Sequence, residues 1–301
     1  MVDITHKNST LRKATAEAWI EVSSSATIDA ITEGKVPKGN VLEVARTAGL
    51  FGVKRTSDLI PDCHPLPVEF TQVTYEFHGL KVRILVEVHT VYKTGVEVEA
   101  MTGATVVALT MYDMLKPIDS NVTISSIGLV SKTGGKSQQK TNLTLIRARV
   151  VVCSDRIHSG MAEDRSGQFL VENFRRIGLQ TDGLVVIPDD SNAIHDEVEK
   201  AHDDGIQVLM FSGGTGVGPR DYTYATLSAL MDEELPGMVQ YGVQYGQSRI
   251  PTAMLGRAVA GMSRGLLVLG IPGSLGAAKD YFHAWFPACL HALDMAKGEG
   301  H

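Results

Sequence analysis

The sequence predicts two domains in tandem: an α+β sandwich built on an antiparallel sheet, then a three-layer α/β domain on a mostly parallel sheet. Three observations carry this. The chain has 301 residues, 44% hydrophobic and 21% charged, ordinary for globular protein and enough for two cores of about 150 residues each. The hydrophobic period changes partway, from alternating strand pairs beside long helices to a strand–helix–strand rhythm. Between the two lies Gly134-Gly135-Lys136-Ser137-Gln138-Gln139-Lys140, small, polar and glycine-rich, which reads as a linker or an active-site tail.

In the first part, residues 71–77 and 81–90 alternate apolar and polar with His78-Gly79 between them, the pattern of an antiparallel hairpin. Residues 39–52 and 96–115 have helical spacing, and 121–131 alternates again. Such elements make a sheet with helices on one side. Thr94 and Glu97 are spaced as a capping box for the longest helix. Beyond the linker, 148–153 is a short buried strand and 168–177 a helix. Residues 184–188 form a strand, 192–203 a helix with Ser191 as N-cap, and 207–211 a strand. Residues 266–271 and 277–296 repeat the unit. This rhythm predicts a parallel sheet covered on both faces, in which ligands sit at the carboxyl ends of the strands.

Charge narrows the function. From residue 1 to 142 there are 15 Lys and Arg against 15 Asp and Glu; the remainder has 13 against 19, the whole of the net −6. Neither half has the basic excess of a nucleic-acid binder. An anionic ligand therefore needs a local cation cluster in the first half and, in the acidic second half, a metal ion held by carboxylates. Cys63, Cys153 and Cys289 are far apart with no CxxC pair, which argues against a disulfide framework or a zinc site and for reduced thiols. Residues 1–20 carry His6, Lys7, Arg12, Lys13 and Glu17 with no apolar stretch, so no signal peptide is read there. No run of about 20 apolar residues spans a membrane, and a cytoplasmic protein is expected. His158, His195, His202 and His283 are scattered and read as solvated helix residues, not metal ligands.

Four segments of the first half stand out. They are Pro37-Lys38-Gly39-Asn40, Asp62-Cys63-His64-Pro65, the helix start Lys93-Thr94-Gly95-Val96-Glu97-Val98-Glu99-Ala100 with its end Tyr112-Asp113-Met114-Leu115-Lys116, and Ser131-Lys132-Thr133-Gly134-Gly135-Lys136-Ser137. Each has a bland reading: a cap for Glu97, a surface i,i+3 ion pair for Asp113 and Lys116, a hydrogen-bonded loop residue for His64. Together with Lys54-Arg55-Thr56-Ser57-Asp58-Leu59-Ile60-Pro61, however, they closely resemble the cyclic pyranopterin monophosphate synthase (MoaC) family, over residues 1–137.

That resemblance implies a ferredoxin-like fold and rearrangement of 3',8-cyclo-7,8-dihydro-GTP into cyclic pyranopterin monophosphate with loss of pyrophosphate. It implies Arg12, Lys38, His64, Lys132 and Lys136 as cations for the triphosphate. Asp113 and Lys116 become the acid/base pair, Glu97 and Glu99 orient the guanine-derived ring through its N–H donors, and Asp62, Cys63 and Val98 count among the substrate-binding residues. Glu99 and Asp113 lie 14 residues apart on one helix, about 21 Å along its axis at 1.5 Å per residue. One small pocket in one chain cannot hold both, so the site is expected at a subunit interface of a homo-oligomer. Val98 and Asn40 stand where the family has methionine and aspartate, and Gly103 and Pro117 are unusual for it.

In the second half, Phe211-Ser212-Gly213-Gly214-Thr215-Gly216 follows an apolar strand, with Arg220-Asp221-Tyr222-Thr223 after it. Glycines let successive N–H groups converge on a phosphate, although no dinucleotide fingerprint or P-loop is present. Ser154-Asp155-Arg156, Pro188-Asp189-Asp190 and Ile271-Pro272-Gly273-Ser274 emerge at other strand ends. Taken singly these are common αβ turns, and Asp189 reads as a helix cap. Jointly, with Pro236-Gly237-Met238, they resemble the molybdopterin-binding MoaB/MogA family over residues 145–296.

The resemblance implies transfer of AMP from the co-substrate ATP to molybdopterin. Asp189 and Asp221 would be the catalytic carboxylates and Mg²⁺ ligands, and Ser154, Asp155, Ser212, Gly213, Gly214, Thr215, Gly216, Pro272, Gly273 and Ser274 the pterin and nucleotide loops. Leu275, Gly276 and Tyr224 depart from the family pattern, and the competing expectation is a non-catalytic pterin-binding or assembly module. The division expected is 1–137, a linker at 138–144, and 145–301, with pterin and nucleotide substrates and transient contact with other molybdenum-cofactor enzymes.

Overall fold

The computed structural model describes residues 1–135 and 143–298. The chain divides into two compact units, Met1–Gln139 and Lys140–His301, each taken by itself below. Among the described residues no helix is long and apolar enough to cross a membrane.

The first unit runs β1 (Thr10–Glu21), α1 (Ser25–Thr32), α2 (Val41–Lys54), α3 (Thr56–Leu59), β2 (Phe70–His78), β3 (Lys81–Tyr92), α4 (Glu97–Leu115) and β4 (Thr123–Thr133). Its sheet has the order β2-β3-β1-β4, with every paired neighbour antiparallel. With helices in the crossovers on either side of the β2–β3 hairpin, this is the ferredoxin-like arrangement. Ala14, Ala16, Ala18 and Ile20 of β1 and Val82, Ile84, Val86 and Val88 of β3 point into one core with Ala100, Ala104, Val107, Ala108 and Met111 of α4.

Gly103 earns its place where α2 crosses α4: a β-carbon there would meet Val53 and Val86 side chains, and one on Gly49 would collide with Val107. The expected helix start at residue 39 moves to Val41 because Asn40 caps it, its side chain accepting the Glu43 N–H at 3.2 Å. Aspartate and asparagine cap equally well, so the departure at residue 40 preserves the helix. The central strand β1 is the element periodicity leaves unread, since its buried positions are mostly alanines, residues that favour helix.

The second unit runs β5 (Arg147–Cys153), α5 (Asp155–His158), α6 (Ser166–Ile177), β6 (Gln180–Ile187), α7 (Ser191–Asp203), β7 (Val208–Ser212), α8 (Thr223–Leu230), β8 (Glu233–Glu234), α9 (Pro236–Gln247), β9 (Val259–Ser263), β10 (Leu266–Ile271), α10 (Leu275–Trp285) and α11 (His291–Ala296). The sheet order is β6-β5-β7-β10-β9-β8. Strands β6, β5, β7 and β10 are parallel, whereas β9 and β8 are antiparallel additions at one edge. Successive residues of the central strands feed opposite cores. Val150, Met210 and Leu269 join α6 and α10 on one face, and Val151, Leu209 and Val268 join α7 on the other. That is a three-layer sandwich.

Two local expectations are corrected. The N-cap of α7 is Asp190, whose Oδ1 accepts the N–H groups of Asn192 and Ala193; Ser191 is already helical. The helix expected over 277–296 starts earlier, at Leu275, and breaks at Trp285, because Pro287 has no N–H with which to continue it.

Candidate functional site

The first unit places its chemistry at both ends of α4. At the amino end no side chain caps the helix, whose N-cap is Val96, so the Thr94–Glu97 capping box is not formed. The Glu97 carboxylate lies over Gly95, where any β-carbon would collide with it, and pairs with Lys132 Nζ at 3.1 Å. The β1–β4 pairing sets Lys13 opposite Thr133 and Ala14 opposite Lys132, which brings Arg12 beside the Gly134-Gly135 turn. Arg12, Lys13, Gly95, Glu97, Lys132 and that turn line a cavity of ≈ 240 Å³. Lys136 lies outside the described residues.

Two residues along, Glu99 is 3% exposed and accepts the Cys63 thiol at 3.2 Å. Burial pushes the Glu99 carboxyl up, and neighbouring Glu97 adds to the rise. The Cys63 thiol is pushed up to about 11, by burial and then by its bond to Glu99. Val98 between the two glutamates is 42% exposed. Flanking Cys63, Asp62 pairs with the Met1 amino nitrogen at 2.9 Å, and His64 Nε2 donates to the Val2 carbonyl at 2.8 Å.

At the carboxyl end of α4, Asp113 accepts Lys116 Nζ at 2.8 Å on one oxygen and Lys38 Nζ at 2.7 Å on the other. Lys38 also donates to the Asp113 carbonyl at 2.9 Å. The Asp113–Lys116 surface pair thus exists, but a second lysine from the loop before α2 converges on it. Lys116 first and then Lys38 hold the Asp113 carboxyl down at about 2, while Asp113 raises Lys116.

In the second unit the polar loops all leave the carboxyl ends of parallel strands: Ser154-Asp155 after β5, Asp189 after β6, 213–216 after β7 and Pro272-Gly273-Ser274 after β10. From β5 the chain crosses to β6 on one side and later to β7 on the other, so the crevice sits at the switch point between β5 and β7. There the backbones nearly touch. A β-carbon on Gly213 (φ +109°) would strike the Cys153 carbonyl, and one on Gly273 would lie 3.1 Å from the Gly213 α-carbon.

Asp155 and Asp189 exchange hydrogen bonds: the Asp155 N–H donates to Asp189 Oδ2 at 3.1 Å, and the Asp189 N–H to Asp155 Oδ1 at 3.0 Å. Asp155 Oδ2 holds Arg220 at 2.7 Å. With Asp190 capping α7, Asp189 is not the helix cap. Asp221 Oδ2 accepts the Gly218 N–H at 2.7 Å. Both carboxylates flank one glycine loop: Asp189 Oδ1 lies 3.4 Å from where a Gly214 β-carbon would sit, and Asp221 Oδ2 2.8 Å from that of Gly216.

Three serine hydroxyls around this loop already make hydrogen bonds within the protein. Ser212 bonds Ser166 at 3.2 Å, while Ser154 and Ser274 accept the N–H groups of Ile157 and Ala277 as helix caps. Thr215 is buried. The loops therefore offer a ligand chiefly backbone N–H groups.

Arg257, to which no sequence motif gives a role, joins the site by donating to the Gly216 and Asp221 carbonyls. It is a lone cation ahead of a buried strand, a signal no different from that of any surface arginine.

Residues 1–135 match the MoaC family, and 149–291 match the family described as "Probable molybdopterin binding domain". Over residues amounting to 46% of this chain and 87% of the relative, identity is 46% to the cyclic pyranopterin monophosphate synthase of Clostridium perfringens (strain 13 / Type A). The whole chain is 33% identical to the molybdenum cofactor biosynthesis bifunctional protein of Synechococcus elongatus, covering 98% of it. It is 40% identical to the protein of that name from Chlorobaculum tepidum, covering 96% of it. With both domains matched in order and the similarity running end to end, the chain belongs to the bifunctional molybdenum cofactor biosynthesis proteins.

Proposed function

We propose that the first unit is a cyclic pyranopterin monophosphate synthase whose site is completed by a second copy of the chain. The observation that carries this is the division of its charged groups between the two ends of α4. A cavity of ≈ 240 Å³ lined by Arg12 and Lys132 is smaller than the ~300–1,000 Å³ usual for small-molecule sites, and suits the phosphate tail of a nucleotide-derived substrate. The Lys38–Asp113–Lys116 cluster, which suits proton transfer during purine-ring opening and closure, is at the far end. With Asp113 held anionic and Lys116 cationic, the resting pair offers an ammonium acid and a weak carboxylate base.

Mixing two inactive variants tests the shared site. Random pairing of Glu99→Gln and Asp113→Asn chains should restore about one quarter of wild-type activity, because half the dimers carry one intact site of two. No recovery after verified subunit exchange would place the whole site in one chain and overturn this reading.

In the second unit we propose adenylyl transfer. A terminal phosphate oxygen of molybdopterin attacks the α-phosphorus of ATP, the bond to the β-phosphate bridge breaks, and pyrophosphate leaves. The donor set fits Mg²⁺: two hard carboxylates, Asp189 and Asp221, flank one loop, and a Mg²⁺ site of few protein ligands keeps several waters. Mg²⁺, when bound, would offset charge on the phosphates. The chain's own part is positioning. Glycine-loop N–H groups bind phosphate oxygens, and Arg220, now paired with Asp155, lies within reach of an incoming anion. Incubation with molybdopterin, ATP and Mg²⁺ should yield adenylylated product, lost in Asp221→Asn. Tight pterin binding with no product would instead establish a binding module.

A further inference from the structure

Arg257 stands just ahead of β9, and it bonds to backbone where a surface arginine would bond to carboxylates. Its Nη2 donates to the Gly216 carbonyl and, at 3.4 Å, to the Asp221 carbonyl. Its own N–H donates to the Thr215 carbonyl at 3.1 Å. One side chain thus ties together both ends of the 216–221 loop. The guanidinium also lies 5.2 Å over the ring of Tyr224, the second residue of α8, an attraction that holds its plane.

Two further facts speak against a mere fastener. Arg257 Nε is buried and finds no hydrogen-bond partner among the described residues, and the acceptors of Nη2 are carbonyls, which leave the positive charge unneutralised. A buried, unpaired donor on a permanent cation is a costly way to hold a loop. The arrangement makes sense where the charge is matched by an anion arriving at the glycines. The loop it clamps carries Asp221, whose carboxylate folds back onto the Gly218 N–H.

We infer that Arg257 is a positioning residue for Asp221. It fixes the 216–221 loop so that the carboxylate is held at the crevice before substrate arrives, and it supplies positive charge behind the phosphate-binding glycines. The inference rests on the adenylyl-transfer reading for its chemical use, while the clamp itself can be measured without any ligand.

The full chain carrying Arg257→Ala or Arg257→Lys supplies the test. Hydrogen exchange of the 216–221 amides should rise about tenfold or more in Arg257→Ala and less in Arg257→Lys, with protection unchanged in β5, β7 and β10. In the transfer assay kcat should fall about 100-fold in Arg257→Ala, as expected for a displaced group. The half-saturating Mg²⁺ concentration should rise about tenfold, with KM for ATP changing less. Free guanidinium ion at millimolar concentration should restore part of kcat.

Unchanged loop exchange in Arg257→Ala overturns the inference, as does raised exchange with unaltered kcat and Mg²⁺ dependence. Exchange that rises across the whole sheet marks Arg257 as structural only and overturns it too. If wild-type protein makes no adenylylated product, the transfer reading fails, and the exchange data still decide whether Arg257 clamps the loop.

Discussion

On the functions proposed above, the two units meet the same problem, a phosphorylated ligand, with opposite materials. The first gathers side-chain charge: Arg12 and Lys132 around a cavity, Lys38 and Lys116 around Asp113. The second gathers backbone, with glycines packed so closely at the β5–β7 switch point that a methyl group would strike a carbonyl. The difference sets where each is fragile. A charge-built site loses activity on side-chain truncation while its fold survives; a backbone-built site loses its shape when a side chain is added.

The sharpest test is to remove one charge from the first unit. Asp113→Asn should lower formation of cyclic pyranopterin monophosphate by about 10³-fold and leave adenylyl transfer by the same chain untouched. Equal loss of both activities would break the comparison. Asp113 sits near 2 and Lys116 above its ordinary value, so neither should set a limb of the pH profile between 5 and 9. A limb in that range that vanishes in Asp113→Asn would show that substrate binding dismantles the pair.

Next in size is Gly213→Ala. Its positive φ costs about 1–3 kcal/mol for a non-glycine residue, and contact with the Cys153 carbonyl adds overpacking. Together they should lower the melting temperature of the second unit by roughly 10 °C, read from Trp285 fluorescence in a Trp19→Phe background. The first unit's activity should be retained, the reverse of the Asp113→Asn pattern.

These tests bear on what was legible in sequence. The glycine loops are readable because backbone approach leaves few residue choices, so Ser212-Gly213-Gly214-Thr215-Gly216 announces itself. The charged clusters are readable only as a set, since Lys38 and Asp113 are 75 residues apart and each alone resembles a surface charge. Arg257 was hidden because it acts through carbonyls, which every residue possesses. Strand β1 was hidden because alanine at its buried positions gives alternation without β-forming bulk. The Asp189 reading shifted by one residue: Asp190 takes the cap, and only the fold distinguishes two adjacent aspartates.

Glu99 separates stability from activity within the charge-built site. Its folded-state carboxyl is raised by burial, so the folded chain holds that proton more tightly than the unfolded one. That contribution is fully present below the ordinary value near 4.5 and fades as pH rises through the raised value. At pH 8 the buried carboxylate is a liability that Glu99→Gln removes. The variant should melt at the same temperature or a few degrees higher, yet lose about 100-fold or more in activity. A melting temperature lowered at pH 8 would mean the carboxylate is structurally required by Cys63, and Cys63→Ala would then show the same loss.

The smallest effect expected is at Asn40, two residues from Lys38, which pairs with Asp113. Its side chain caps α2 through the Glu43 N–H, and aspartate performs that task about as well. Asn40→Asp should therefore change stability by no more than a few tenths of a kcal/mol and leave KM within about twofold. Asn40→Ala should cost about 1 kcal/mol by removing the cap. Because the loop at the cap carries Lys38 to Asp113, loss of the cap loosens one of the two ammonium groups on that carboxylate. Asn40→Ala should then lower kcat more than it raises KM, whereas a residue that binds substrate directly would show the opposite split.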